Sequence, residues 1–310
     1  MERRNFFKAL AGVYAGATTF FSCKYFEKRD NANKYIIDRR LTGNPTYLRH
    51  IEFPIVYHCN LNCAYCDHFA PLAPEYFMPL EVFKKDILKL KELTNGKIDE
   101  ILLLGGEPLL HPDIEKFLEI ARENFPDAFL KILTNGLLLK CKDEDFWNEI
   151  ARSKTEIRIT NYVLYNKVID LNYINKISKK YNVSCLVYSP TKKFDLVNLS
   201  KNKKCNLKQK YNSCSRKIET ALLDNGILYS CCIAQGIQKF FNKKFPKYAI
   251  PFAQDDTLDI HKVQSLQEIL DFLEKPKTYC TYCHYEDNTF EPSAKKWKLS
   301  KRELSEWYVK

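Results

Sequence analysis

Short apolar runs alternate with amphipathic stretches between residues 51 and 188. In the amphipathic stretches the apolar residues recur at every third or fourth position, which predicts helices with one buried face. The apolar runs predict strands that are buried on both faces. The predicted strands are 51–57, 101–104, 129–133, 156–160 and 183–188, and the predicted helices lie around 82–93, 114–121, 146–150 and 171–177.

This alternation predicts an α/β fold built from parallel βα units. Right-handed crossovers between parallel strands curl such a sheet into a whole or partial barrel. After about residue 195 the alternation stops, and a hairpin is predicted over 218–229 and a helix over 266–273. From residue 295 onward we expect a charged helix with Trp297 and Trp307 available to dock. The expected divisions are a signal-like or docking segment at 1–50, the barrel at 51–200, a cysteine-rich region at 201–290 and a helical tail at 291–310.

Polar or metal-binding residues follow several of the predicted strands. Three cysteines come after 51–57, a Gly-Gly-Glu-Pro run occupies 105–108, a Thr-Asn-Gly run occupies 134–136, and Thr160 ends the fourth strand. The carboxyl ends of parallel strands meet at one rim of a barrel, so these groups are expected to converge on a cofactor site. Taken alone, the run at 134–136 is also typical of an ordinary turn.

Cys59, Cys63 and Cys66 have the spacing Cys-x3-Cys-x2-Cys. Three thiolates can hold three corners of a cubane iron–sulfur cluster, whereas a fully protein-held cluster takes four. The fourth iron is then open for chemistry. The alternative is a structural zinc site with His58 or His68 as fourth ligand. Such sites usually use paired Cys-x2-Cys or Cys/His knuckles, and only one Cys-x2-Cys step is present locally.

The cysteine spacing and the Gly-Gly-Glu-Pro run together resemble the signature of the radical S-adenosylmethionine (radical SAM) superfamily. The resemblance implies a partial (βα)6 TIM-like barrel and an enzyme that carries a [4Fe–4S] cluster and binds S-adenosylmethionine. One electron from the reduced cluster would break the sulfur–C5′ bond. The resulting 5′-deoxyadenosyl radical would then remove a hydrogen from a substrate.

The same resemblance implies roles for individual residues beside the three cluster cysteines. Gly105 and Gly106 would let the strand edge approach the methionine moiety closely, because they lack side chains. Glu107 would accept a hydrogen bond from the amino group of S-adenosylmethionine. The other residues expected to bind this cofactor are Tyr65 against adenine, Thr160 at the ribose, and Asn135. The alternatives are that Glu107 only bonds backbone groups and that Tyr65 only packs.

A second group of cysteines lies near the end of the globular part, at Cys214, Cys231, Cys280 and Cys283. Gly226, in the predicted hairpin turn, can adopt a positive φ, so that Cys231 folds back towards Cys214. Four thiolates can carry a cubane cluster or a zinc ion, and the spacing alone does not decide between them.

The spacing of this second group resembles the auxiliary-cluster region of SPASM/twitch-type radical SAM enzymes. No cysteine follows Cys283 in the sequence, which points to the shorter twitch form with one auxiliary [4Fe–4S] cluster. Cys205 is a rival to Cys214 as first ligand, and Cys232 is a rival to Cys231.

The 310 residues carry a formal net charge of +11, from 49 basic and 38 acidic residues. The basic residues are dispersed as lysine pairs, which is typical of a solvated surface, so no nucleic-acid partner is expected. The twelve cysteines are more typical of metal ligands than of disulfides in an intracellular chain. The expected partners are S-adenosylmethionine, an unknown substrate, and a low-potential electron donor of the flavodoxin or ferredoxin type.

The first residues resemble an export signal. Arg3 and Arg4 precede an uncharged run at 9–23, as in twin-arginine signals. The run is shorter than the ~20 residues that a spanning helix needs, and the alternative is a helix that docks on the domain. S-adenosylmethionine and low-potential electrons are cytosolic supplies, so a cytoplasmic location is favoured, with membrane association or export left open.

The substrate is the least determined part of the prediction. Enzymes of the auxiliary-cluster type act on ribosomal peptides, sugars and cyclitols. Only about 50 residues precede the first strand, too few for a leader-binding domain, so a small molecule or carbohydrate is favoured. The alternatives are a maturase of a ribosomally made peptide and, in another class, a non-catalytic iron–sulfur electron carrier or a zinc-stapled structural protein.

Overall fold

Eleven strands are found in the described residues, and nine of them form one sheet. The computed structural model describes residues 24–26, 47–162, 169–188, 193–202, 206–214, 216, 221–284 and 294–309. Within these residues the strands are β1 (Lys24–Phe26), β2 (His50–Val56), β3 (Glu100–Gly105), β4 (Phe129–Thr134), β5 (Glu156–Ile159), β6 (Ser184–Tyr188), β7 (Lys193–Asp195), β8 (Leu222–Asp224), β9 (Ile227–Tyr229), β10 (Leu258–Asp259) and β11 (Ala294–Lys296).

The helices fall between and after these strands. They are α1 (Leu80–Thr94), α2 (Ile114–Asn124), α3 (Glu144–Arg152), α4 (Leu171–Tyr181), α5 (Leu207–Ser213), α6 (Cys232–Gly236), α7 (Asn242–Lys244) and α8 (Leu266–Glu274). A π-helical turn at Ile237–Phe241 joins α6 to α7. Short 3-10 turns occur at Ala70–Leu72, Pro108–Leu110, Leu139–Cys141, Pro246–Tyr248, Gln254–Asp256, Thr278–Tyr282 and Leu304–Glu306.

Several helices begin where the sequence supplies a capping side chain. The carboxylate of Asp143 accepts the N–H of Phe146 at the start of α3, and Asp170 accepts the N–H of Tyr173 at the start of α4. Each bond satisfies one of the backbone donors that a helix leaves unpaired at its first turn. Helix α1 ends at Asn95, which adopts the left-handed conformation (φ 52°) typical of a helix stop.

Nine strands form one sheet in the order β1-β6-β5-β4-β3-β2-β8-β9-β10. Neighbours from β1 to β8 are parallel, whereas β8, β9 and β10 are antiparallel. The sheet is open, with β1 and β10 at its edges. This confirms the predicted α/β class with a partial barrel. The five strands predicted between residues 51 and 188 lie within one residue of the observed bounds.

The two faces of the sheet differ in polarity. On β2, Ile51, Phe53 and Ile55 are fully buried in one apolar cluster with residues of α1 such as Phe83. Successive side chains of a strand point to opposite faces, so Glu52 lies on the face away from these helices. We call this the inner face. The pairing register places further charged residues on it: Glu100, Lys131, Glu156 and Arg158.

The C-terminal segment at 294–309 does not form the predicted charged helix. It forms β11, which pairs with β7, and then a 3-10 turn at Leu304–Glu306. Between them the chain runs extended along the cysteine loop, where the N–H of Ser300 donates to the carbonyl of Asn62 (2.8 Å). A backbone group paired in this way is not available for a helical hydrogen bond, so the tertiary pairing overrides the local preference.

In the part of the chain that the structure describes, no helix combines the length and the apolar character that crossing a bilayer requires. The export-signal prediction falls on residues 1–23, which lie outside the described residues.

Candidate functional site

Three cysteines converge beyond the carboxyl end of β2. Cys59, Cys63 and Cys66 are free thiols. Leu137, from the loop after β4, and Tyr162, from the loop after β5, reach the same place, so the ends of three parallel strands meet there as the rim argument predicts. The apolar cluster at this point consists of Cys59, Leu61, Cys63, Cys66, Leu137, Tyr162 and Trp297.

Nitrogen donors surround the sulfur atoms of this loop. Cys59 Sγ accepts the N–H of Leu61 (3.3 Å) and lies 3.8 Å from the amide nitrogen Nδ2 of Asn135. Cys63 Sγ accepts the indole N–H of Trp297 (2.9 Å). Hydrogen bonds to sulfur stabilise the thiolate form, which is the form that binds metals. Two of the three sulfur atoms therefore have nearby donors that favour a negatively charged ligand.

Burial acts in the opposite direction on the same thiols. It raises the pKa of Cys59 to about 12 and that of Cys63 to about 11, and it raises the pKa of Cys66 well above its ordinary value. Without a cation the three thiols therefore keep their protons at neutral pH. A bound metal reverses this, because a coordinating thiol is deprotonated outright. Three clustered thiols that form no disulfide, with Cys63 buried and the other two partly buried, fit an iron–sulfur centre.

The histidines weighed as zinc ligands have other neighbours. His58 Nδ1 accepts the N–H of Tyr76 (3.3 Å), and its ring stands edge-on to that of Phe77. His68 lies beside Asp67 and Cys232. Each of the two histidines therefore has polar or aromatic neighbours other than the three cysteines.

The double glycine allows a close approach between β3 and the chain entering the cysteine loop. A Cβ at Gly105 would collide with the carbonyl oxygen of Val56, and one at Gly106 would collide with that of His58. Gly105 also has a φ of +137°, which other residues rarely adopt. The N–H of Gly106 donates to Val56 O (2.8 Å). Both glycines are thus needed for backbone packing, and the predicted approach to methionine stays a prediction.

Replacing Gly106 with alanine is expected to lower the free energy of unfolding by about 3 kcal/mol or more, because backbone must move to admit the methyl group. Chemical denaturation measures the change. The matched control is Gly96→Ala, where an added Cβ meets nothing within 4 Å and only the positive φ (+73°) opposes it, at about 1–2 kcal/mol. Equal losses in the two variants would contradict the packing argument.

Glu107 is almost fully buried and joins the ends of two strands. Its carboxylate accepts the hydroxyl of Thr134 (2.6 Å) and the N–H groups of Asn135 (2.9 Å) and Leu109 (3.1 Å). Burial raises the pKa of this carboxyl group to about 6, although the three hydrogen bonds lower it. Glu107 therefore bonds both backbone and side-chain groups of the protein itself, and its predicted bond to the cofactor amino group stays untested.

The raised pKa of Glu107 predicts a pH-dependent contribution to stability. The folded chain binds this proton more tightly than the unfolded chain, whose ordinary pKa is 4.5. The contribution is therefore fully present below pH 4.5 and is lost as the pH rises through about 6. Between pH 4.5 and 7 the wild type should lose about 2 kcal/mol of unfolding free energy relative to Glu107→Gln. Parallel pH profiles in urea titrations would refute this.

The remaining cofactor-binding candidates lie around the same rim. Asn135 Nδ2 donates to Asn60 Oδ1 (2.7 Å) and so fixes the turn after β4 against the cysteine loop. Tyr65 has a positive φ (66°) and a buried ring that packs with Leu196, with Lys298 Nζ 5.2 Å from the ring centroid. The N–H of Thr160 donates to Thr134 O (2.9 Å). Their roles towards adenine and ribose stay predictions.

The second group of cysteines lines one cavity. Cys214 follows α5, Cys231 precedes α6, and Cys280 and Cys283 lie on or beside the 3-10 turn Thr278–Tyr282. Burial and the neighbouring thiols Cys214 and Cys283 raise the pKa of Cys231 to about 12. The cavity is lined by Lys210, Tyr211, Cys214, Arg216, Ser230, Cys231, Ile233, Tyr279, Cys280 and Cys283. All four cysteines singled out in the sequence are therefore brought together.

Of the two rival cysteines, Cys232 is described by the structure and does not line this cavity. Cys232 is fully buried beside Asp67 and His68, with potential ligand atoms within 4.8 Å of one another. The guanidinium of Arg216 pairs with Asp67 (2.8 Å) and lies 3.8 Å from Cys232 Sγ. A cation of the protein thus already occupies this position. Cys205 lies outside the described residues.

Sequence reasoning did not assign Trp297, Tyr162 or Arg216 to the sites. Trp297 and Trp307 were expected to dock, and their places at the cysteine loop follow only from the tertiary structure. The indole N–H of Trp307 donates to Cys66 O (2.9 Å), and its ring stacks on Phe69 with centroids 5.7 Å apart. The only sign of these contacts in the sequence was the presence of two tryptophans in a lysine-rich segment.

Residues 53–164 match the family model described as the Radical SAM superfamily. The match covers less than half of the chain, from β2 through the cysteine loop to residue 164, and shows similarity to that superfamily. This match supports the resemblance that the cysteine spacing and the Gly-Gly-Glu-Pro run predict.

Two curated relatives show how far the similarity extends. A Methanocaldococcus jannaschii protein whose name refers to activation of a glycyl-radical enzyme is 31% identical over 154 residues, covering 48% of this chain and 55% of the relative. The GTP 3′,8-cyclase of Campylobacter jejuni is 32% identical over 104 residues, covering 33% of this chain and 32% of the relative. The chain thus spans about a third to about half of the length of these relatives.

Solved structures with some likeness include BtrN in complex with AdoMet and 2-DOIA. It is 16% identical with a TM-score of 0.47, covering 81% of this chain and 98% of that one. Streptococcus suis SuiB bound to S-adenosylmethionine is 18% identical with a TM-score of 0.37, covering 58% of this chain and 40% of that one. The fold of this protein is defined by its strand order and register and not by these two structures.

Proposed function

We propose that this protein is a radical SAM enzyme that reductively cleaves S-adenosylmethionine and abstracts hydrogen from a substrate. The observation that carries the proposal is the meeting of the three-cysteine loop with the Gly-Gly-Glu run at one edge of the sheet. There the N–H of Glu107 donates to His58 O (3.0 Å), and Asn135 lies against Cys59. When bound, the cluster and S-adenosylmethionine supply a 5′-deoxyadenosyl radical.

The residues of the chain bind, orient and shield in this proposal. The three cysteines hold the cluster. Gly105 and Gly106 keep β3 against the loop, so that Glu107 and Asn135 stand next to the ligands. The apolar side chains packed around the cysteines, Leu61, Leu137, Tyr162 and Trp297, limit the access of water, which protects a reactive radical from side reactions. Tyr65 and Thr160 are proposed to contact the adenosyl group.

Anaerobic reconstitution of the wild-type chain tests the proposal. We expect iron and sulfide to be incorporated, and we expect reduction in the presence of S-adenosylmethionine to release 5′-deoxyadenosine. Addition of S-adenosylmethionine should also change the paramagnetic resonance spectrum of the reduced cluster. A reduced cluster whose spectrum is indifferent to S-adenosylmethionine would instead support an electron carrier and overturn the assignment.

We further propose that the cavity lined by Cys214, Cys231, Cys280 and Cys283 holds a single auxiliary [4Fe–4S] cluster of the twitch type. The convergence of four thiols supports a metal centre there. Four thiolates are the usual complement of a fully protein-held cubane cluster. The proposed electron donor for the radical centre is a low-potential flavodoxin or ferredoxin.

The proposed substrate is a small polar molecule such as a carbohydrate, with a ribosomally made peptide as the alternative. The inner face of the sheet supports the polar choice. Glu52 Oε2 is buried there without a hydrogen-bond partner among the described residues, and Arg158 pairs with Glu156 (2.8 Å). Binding of short precursor peptides encoded near this gene provides the test. Tight binding of such a peptide would overturn the small-molecule proposal.

A further inference from the structure

The C-terminal segment lies across the cysteine loop as an added extended strand. The N–H of Ala64 donates to Lys298 O (3.0 Å), and Cys63 and Leu299 form an antiparallel bridge. The side chain of Asn62 donates to Ser300 O (3.0 Å). These bonds fix residues 297–300 against the loop that carries the three ligands, although more than 230 residues separate the two segments.

Within this strand, Trp297 has a position that no other tryptophan shares among the described residues. Its indole N–H donates to Cys63 Sγ (2.9 Å), and its ring packs in the cluster formed by the cysteines and Leu61. Trp307 anchors the same segment differently, because its N–H bonds the carbonyl oxygen of Cys66 and not a sulfur. Trp147 packs between Phe146 and Tyr181 in the helix-covered core.

A hydrogen bond to a ligating sulfur has a definite effect on an iron–sulfur cluster. Reduction adds negative charge that the cluster and its sulfur ligands share, so a donor to sulfur favours the reduced state and raises the reduction potential. Burial of the cluster disfavours the added charge and lowers the potential. Trp297 supplies both influences, because its ring covers Cys63 and its N–H bonds the sulfur.

We propose that Trp297, delivered by the C-terminal segment, is a positioning residue that raises the reduction potential of the radical cluster through its N–H bond to Cys63. This inference rests on the proposed function, because it requires a cluster on the three-cysteine loop. The C-terminal segment would then influence the redox chemistry of a site whose ligands lie more than 230 residues before it in the sequence.

The test is a redox titration of Trp297→Phe without S-adenosylmethionine, followed by the paramagnetic resonance of the reduced cluster. Phenylalanine keeps an aromatic ring over Cys63 and removes only the N–H donor. At a fixed potential, we expect the ratio of reduced to oxidised cluster to fall by about threefold to tenfold. Trp147→Phe is the matched control and should titrate as the wild type does. An unchanged ratio in Trp297→Phe would overturn the proposal.

A second measurement on the wild-type chain covers the case in which Trp297→Phe assembles no cluster. Indole-¹⁵N tryptophan is incorporated, and the nitrogen coupling to the reduced cluster is measured by pulsed paramagnetic resonance, with Trp307→Phe separating the two nearby indoles. A coupling that persists in Trp307→Phe supports the bond, and its absence there rules it out. A wild type that assembles no iron cluster overturns the proposed function as well, whereas an intact cluster without this coupling overturns only the role of Trp297.

Discussion

Cys63→Ala is expected to lose the radical cluster and, with it, all cleavage of S-adenosylmethionine. Cys63 is 7% exposed, shares one apolar cluster with Cys59 and Cys66, and lies between them in sequence. A cubane cluster with one open iron needs three thiolate ligands, and the variant keeps only two of them. Iron content, sulfide content and 5′-deoxyadenosine release after anaerobic reconstitution measure the effect, and we expect release to fall to background.

Cys141→Ala is the matched control for this variant. Cys141 is exposed, lies in the turn after β4 and has no place in the apolar cluster of the three cysteines. We expect its iron content and its 5′-deoxyadenosine release to equal those of the wild type. Retention of cleavage by Cys63→Ala would contradict the assignment of the site, and equal losses in both variants would point to a general effect of removing cysteine.

Cys231→Ala is expected to lose the second metal centre and to keep the first. With two cubane clusters the wild type should bind about eight irons per chain, and the variant about four. Because the centre joins Cys214, Cys231 and the turn that carries Cys280, its loss should also lower the thermal midpoint of the metal-loaded protein. Metal analysis and calorimetry give the two measurements.

Cys232→Ala is the matched control, since it removes the neighbouring cysteine. Cys232 lies beside Arg216 and Asp67 and does not itself line the cavity, so its replacement should leave the metal content unchanged. A wild type with about four irons and one zinc would replace the auxiliary-cluster proposal with a structural zinc site. A loss of metal in Cys232→Ala but not in Cys231→Ala would contradict the assignment of Cys231 as ligand.

Arg216 connects the two groups of cysteines in the structure. It lines the cavity of the second cysteine group, and it pairs with Asp67, which follows the ligand Cys66 in sequence. Burial alone would raise the pKa of Asp67, but the Arg216 guanidinium, His68 and a backbone hydrogen bond together hold that pKa below its ordinary value. The ion pair therefore stays formed at neutral pH and ties the cysteine loop to the C-terminal region.

The strands and helices of the barrel could be predicted because their signal is local. An apolar run or a repeat of three to four residues is present in the segment itself, and burial on the sheet then reinforces it. The turn of the β8–β9 hairpin was predicted for the same reason, since Gly226 adopts a positive φ (78°). The cysteine spacings were equally local, and thiolate chemistry restricts what such spacings can do.

The tertiary structure alone decided which distant groups meet. The chain at 294–309 is extended, although its sequence was taken for a helix, because its backbone groups bond to a loop near residue 62. Cys231 lines the cavity of the second cysteine group, whereas Cys232, the first residue of α6, does not. Glu107 was assigned to a cofactor from its motif, and only the fold shows its bonds to the end of β4.

The sequence by itself therefore determined the class of fold, the two groups of cysteines and the edge of the sheet where chemistry takes place. These follow from periodicity and from ligand chemistry, which act within short segments. The tertiary structure decided that Trp297 reaches Cys63, that Arg216 occupies the space beside Cys232, and that the double glycine packs against Val56 and His58. Such contacts depend on three-dimensional packing between segments, for which no single segment carries a signal.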